Sequence, residues 1–176
     1  SMSPFTAEES VTRDYIQHER PDAIINIVDA TNLSRSLLFT TQLMELGVPV
    51  VVALNKTDIN KKKETVIDAP LLSEKLGCPV IETVSTDTDN SDLADVVAAA
   101  VALRGKVQQA PYRHPEVDLS DRAAVIEADK HRYAFVNPIV RAVEHRKVLT
   151  RDYGFQDRVD DVLTNKWFGL PIFAAV

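Results

Sequence analysis

Apolar and polar positions fall into alternating blocks along the first half of the chain. Residues 23–29, 50–55 and 80–85 form three short runs rich in β-branched side chains. The first two are apolar almost throughout rather than at every second position, the pattern of parallel strands covered on both faces. Between the runs, apolar positions fall at helical spacing. Leu33, Leu37, Leu38, Met44 and Leu46 form one stripe, with Asn32 placed to cap it, Gly47 to stop it and Pro49 just beyond. Leu71, Leu72 and Leu76 form the next, with Asp68 as cap, Pro70 in the first turn, Gly77 as stop and Pro79 beyond. The same helix–stop–strand device is used twice, and a strand–helix period of about thirty residues suits βαβ crossovers.

The flanks complete the element map. Thr6-Ala7-Glu8-Glu9 reads as a capping box opening a helix that runs to about His18. Residues 92–103 are rich in alanine and valine and predict a helix that closes the sheet. Residues 105–115 hold Pro111 and Pro115 with few apolar positions, and read as a linker. Beyond it the pattern predicts helices only, over 120–136, 139–148 and 155–164. The first two are parted at Asn137-Pro138, because proline removes a donor and clashes with the preceding turn. The predicted architecture is therefore α/β. Three parallel strands with flanking helices occupy 1–104, a linker 105–119, and a small all-helical domain 120–166. Residues 167–176 carry no charge, yet a membrane helix needs about twenty apolar residues. The run reads either as an apolar tail packed on the helical domain or as the first turns of a transmembrane helix, with Lys166 and Trp167 at the interface position.

Composition narrows the class. Of 176 residues, 45% are hydrophobic and 26% charged, enough to build a core. The net charge of −6 argues against a nucleic-acid partner. A single cysteine, Cys78, can form no internal disulfide or cysteine metal cluster; it suits a reducing compartment and reads as a small apolar residue at a strand entrance. Residues 1–20 are mostly polar and acidic and resemble no export signal. His18, His114, His131 and His145 are dispersed without i, i+4 spacing, so no metal site is expected. No catalytic arrangement of side chains is expected either.

Chemistry gathers at the strand ends, where ligands bind in open parallel sheets. The ends are Asp29, then Asn55-Lys56-Thr57-Asp58, then Thr83-Val84-Ser85. The middle segment matches the N-K-x-D signature of guanine recognition. Guanine presents two adjacent donors, the ring N1–H and the exocyclic amino group. A carboxylate has two oxygens spaced to accept both, which makes Asp58 the selecting residue. Adenine lacks both donors and leaves the desolvated carboxylate unpaired, at high cost. Asn55 can turn its amide toward the N7 side of the base, and Lys56 can lay its aliphatic stem along the base face. Ser85 sits in the loop where a backbone N–H can meet guanine O6. The four-residue match is short, and an α/β binding or protein-interaction module with a solvated polar loop carries the same letters.

The phosphate-binding half is absent from the sequence. None of the glycines at 47, 77, 105, 154 and 169 belongs to a G-x-x-x-x-G-K-[ST] loop, and no D-x-x-G segment occurs. Two charge-assisted hydrogen bonds from Asp58 and one neutral bond amount to about 4–7 kcal/mol gross, before ordering costs. Since a millimolar dissociation constant already needs about −4 kcal/mol, the chain is expected to bind GTP at about millimolar or weaker, and not to hydrolyse it.

The same residues resemble the ferrous iron transport protein B family. Residues 3–9 are similar to the segment after its third G motif. Residues 25–33 resemble its next strand and turn, residues 51–58 its fourth motif, and residues 82–85 the position of its fifth. Residues 163–173 resemble the junction into its first membrane helix. The resemblance spans essentially the whole chain. It implies an incomplete P-loop-type G domain followed by a helical regulatory domain, at the cytoplasmic face of the bacterial inner membrane. It implies GTP or GDP as ligand of the parent protein, with no Mg2+ site in this piece. Its implied guanine-binding residues are Asn55, Lys56, Asp58, Thr83, Val84 and Ser85. Its implied partners are the missing G-domain half and a membrane domain that moves Fe2+, and it takes residues 167–176 as the start of a truncated transmembrane helix. An unpaired first strand further predicts self-association.

Overall fold

A computed structural model describes residues 7–84, 91–115 and 121–146. Its element order is α1 (Ala7–Glu19), β1 (Ile24–Asp29), α2 (Leu33–Glu45), β2 (Val50–Asn55), α3 (Thr57–Lys62), β3 (Thr65–Ile67), α4 (Ala69–Leu76), β4 (Val80–Thr83), α5 (Ser91–Ala102), α6 (Arg122–Val143) and β5 (Glu144–Arg146). The main sheet has the order β1-β2-β4, all parallel. A small antiparallel pair joins β3 to β5.

The core follows from strand alternation. Val50, Val52 and Leu54 of β2 point to one face, where Leu37 of α2, Leu72 and Leu76 of α4 and Val136 and Val143 of α6 complete a single buried cluster. Each such buried side chain contributes about 1.5–3 kcal/mol. Val51 and Ala53 point the other way and meet Val96 of α5. Central β2 is thus covered on both faces, which is why its sequence is apolar without alternation. Cys78 is buried at the entrance to β4, and burial pushes its thiol up to about 12, so it behaves as an inert apolar group.

The helix stops act as expected. Gly47 and Gly77 take φ of 79° and 69°, in the left-handed region that ends a helix without steric cost. Asp68 caps α4 by accepting Leu71 N–H at 2.9 Å. Asn32 does not cap α2. A 3-10 turn at Ala30–Asn32 intervenes, and its cap is Asp29. The capping box at Thr6, the helix at 155–164 and the tail at 167–176 lie outside the described residues.

Two helices expected over 120–136 and 139–148 are instead one, α6, with Pro138 inside it, and the chain then extends into β5. The reason lies in exposure. Pro138 and Ala134, whose carbonyl the proline leaves without its intrahelical donor, are both solvent-exposed. Water can hydrate that carbonyl as it tilts outward. Val136, Ile139 and Val143 on the opposite side are buried and hold the helix together across the proline. By packing, α6 shares the core of the α/β layers, lying against α2 and α4 within one compact unit that ends at Arg146.

Candidate guanine-base site

The carboxyl ends of the parallel strands form a single row, with Asp29 opposite Asn55 and Asn55 opposite Thr83. The chain leaves β2 by an abrupt turn. Lys56 has φ 65°, an uncommon conformation for a residue with a Cβ. This one residue ends the strand and opens α3 at Thr57. The Asn55 side chain steadies the turn, its Oδ1 accepting the Lys56 N–H at 2.8 Å. The Lys56 carbonyl then accepts from the N–H groups of Ile59 at 3.1 Å and Asn60 at 3.3 Å.

Neighbouring loops are tied together beneath this rim. The buried Asn60 side chain donates to the Ala30 carbonyl at 2.7 Å, fixing α3 to the turn after β1. Asp29 accepts from both the backbone N–H and the hydroxyl of Thr31, at 2.9 and 2.7 Å. Its second oxygen receives the Lys56 ammonium at 2.6 Å. Partial burial raises the Asp29 pKa. The hydrogen bonds from Lys56 and Thr31, with the lysine charge, outweigh it and hold the carboxyl below its usual range.

The structure brings most of the expected residues to this rim. Asn55 and Lys56 form the turn, and Asp58 sits half-buried in the first turn of α3. Thr83 is buried at the end of β4, with Val84 half-buried just past it. Ser85 lies outside the described residues. The sequence pattern places Asp29 at the rim but gives it no role. Its grip on Lys56 joins residues 27 apart on different strands, and no local pattern encodes that contact. Asn60 was missed altogether, since a lone asparagine in a short helix carries no signal.

Chemically, the rim offers a carboxylate, a carboxamide and a lysine stem within one strand-end row. That donor and acceptor set suits the edge and face of a purine. Among the described residues no group of His, Cys, Asp or Glu could hold a metal ion.

The family model for ferrous iron transport protein B matches residues 1–98. The chain belongs to the ferrous iron transport protein B family. The Fe(2+) transporter FeoB of Escherichia coli K12 is 36% identical over 226 residues, covering 99% of this chain and 29% of the relative. The Salmonella typhimurium transporter is 32% identical with the same coverage. The chain thus spans 29% of the length of these curated relatives. Their alignments run over 226 positions against 176 residues here, so these relatives are longer within the matched stretch. Among solved structures, a point mutant of S. thermophilus NFeoB bound to GDP superposes with TM-score 0.64 at 26% identity, covering 82% of this chain and 78% of that one. The cytosolic domain of the T. maritima transporter in its GMPPNP form shares the fold, with TM-score 0.65 at 18% identity over 80% of this chain and 75% of that one. Three parallel strands with flanking helices are therefore a family G-domain fold.

Proposed function

We propose that this chain is the guanine-reading cytosolic portion of a bacterial Fe2+ transporter, and that Asn55, Lys56, Asp58, Thr83, Val84 and Ser85 form its base subsite. The observation that carries the reading is the register row of Asp29, Asn55 and Thr83, from which the Asn55–Asp58 turn projects. The GDP in the S. thermophilus relative supports a guanine nucleotide as the ligand. In this reading Asp58 accepts the two guanine donors and Asn55 stabilises the turn while facing the base. The phosphates and Mg2+ are held by the G-domain half whose motifs this sequence lacks. That half docks along the outer edge of β1, where Ile25 and Ile27 are exposed. The whole assembly works at the cytoplasmic face of the inner membrane, joined to a membrane domain. The relatives' name as Fe2+ transporters supports this. Among the described residues no helix is long and apolar enough to cross a membrane.

Titration of the chain with GDP and with ADP, followed by amide NMR shifts, tests the base reading. GDP is expected to saturate a set of resonances around Asn55 and Asp58 at about millimolar concentration, with ADP leaving them unmoved. Equal response to the two nucleotides sinks the reading. No phosphate release from GTP is expected from this chain alone.

A further inference from the structure

We propose that Asp29 is a positioning residue of the base subsite, acting by holding the Lys56 side chain across the β1–β2 strand ends before any nucleotide arrives. The inference rests on the guanine reading above and deepens it. Lys56 starts at the end of β2, and its ammonium reaches Asp29 at the end of β1, 2.6 Å from Oδ2. Its aliphatic stem therefore spans the gap between adjacent strands, about 4.8 Å wide. Both ends of the tether are fixed. The Lys56 backbone is locked in a left-handed turn by Asn55, and the Asp29 carboxylate is oriented by two bonds from Thr31. A free lysine samples many rotamers, and ordering such a side chain on ligand binding weakens affinity. Here that ordering is done in advance, and the stem already lies along the rim as a wall for the base.

The pair is half-exposed, with side-chain accessibilities of 47% for Lys56 and 33% for Asp29. As a contribution to folding it is therefore small. Its value lies in where it leaves the lysine.

Asp29→Asn keeps an acceptor for Thr31 and removes the charge that holds Lys56. With GDP as probe and amide NMR as readout, this variant of the full chain is expected to bind about two- to tenfold more weakly, the size of one ordered long side chain. Asp29→Glu should recover part of the loss. The decisive measurement is the double-mutant cycle. In a Lys56→Met background the Asp29→Asn change should have no further effect on GDP affinity. An unchanged affinity in Asp29→Asn, or a loss of equal size with and without Lys56, overturns the proposal. Asp29→Ser serves the same cycle should the asparagine variant not fold. Asp58→Ala separates the two failures. If it weakens GDP binding while Asp29→Asn does not, the base reading stands and only the positioning role falls. If it has no effect, both fall.

Discussion

At the scale of single residues, the proposed guanine subsite turns on Asp58. A carboxylate can take both guanine donors, whereas an amide takes one and opposes the other with its own donor. Asp58→Asn is therefore expected to weaken GDP binding by tenfold or more, since each charge-assisted bond is worth about 1.5–3 kcal/mol. The same change should favour xanthosine diphosphate, whose second carbonyl welcomes the new donor. Competition between the two nucleotides measures this directly, and a variant that still prefers guanine would remove Asp58 from the site. Protonation bears on Asp29 in a defined direction. Its carboxyl is held below its usual range, so the Lys56 pair is intact above the ordinary carboxylate pKa and is lost as pH falls through the lowered folded value. Hence Lys56 side-chain resonances should be constant from neutral pH down to about pH 4 and move only below it. Movement near neutrality would show that the lysine answers to another group.

Elements are joined by a few specific contacts, and α6 depends on one of them. Arg132 is nearly buried and reaches α2, bonding Glu45 at 2.6 Å and Thr41 at 3.1 Å. Its guanidinium also lies over the Tyr112 ring, 4.9 Å from the centroid, and Glu45 in turn accepts the His114 N–H at 2.6 Å. Arg132→Ala leaves Glu45 without its cation in a half-dry setting and should cost about 3 kcal/mol, read as a lowered urea midpoint. Pro138 points the other way. It sits exposed inside α6 without its backbone donor, and Pro138→Ala should raise stability by about 1 kcal/mol or more, a fraction of the ~3 kcal/mol that an interior proline costs a helix. These two elements mark how far local pattern reaches. Apolar runs revealed β1, β2 and β4, and stripes with glycine stops revealed α2 and α4, because each carries several concordant signals. Nothing local could have revealed β3 and β5. One is three residues long, and the other is Glu144-His145-Arg146, wholly exposed and charged. Their pairing exists because α6 runs through its proline and delivers its end beside β3, a consequence of tertiary packing. Likewise Asn55-Lys56-Thr57-Asp58 was legible as a motif, while the ion pair that sets Lys56 was not.

For the molecule as a whole, the open side of the sheet matters most. Among the described residues β1 has a strand on one side only. Ile25 and Ile27 register with Val51 and Ala53, so they share the face on which α5 lies. There Ile27 is 71% exposed, and Leu93, Val97 and Val101 of α5 are exposed at helical spacing on their own stripe. Central β2 hides the equivalent positions completely, which shows how the face is used when covered. A bare parallel edge flanked by apolar side chains offers unpaired N–H and C=O groups to any second strand. In a solution of this chain alone, the available strand belongs to another copy. Sedimentation velocity over a concentration series is expected to show association that grows with protein concentration. Ile27→Lys should suppress it, placing charge on the edge as natural sheets do. Because Ile27 is already exposed, the substitution should change folding stability by less than about 0.5 kcal/mol, so loss of association cannot be ascribed to unfolding. If the phosphate-binding half docks on this edge as proposed, the same variant should also fail to accept it when it is supplied separately. Association that persists in Ile27→Lys would place the contact elsewhere and leave β1 without a role in either.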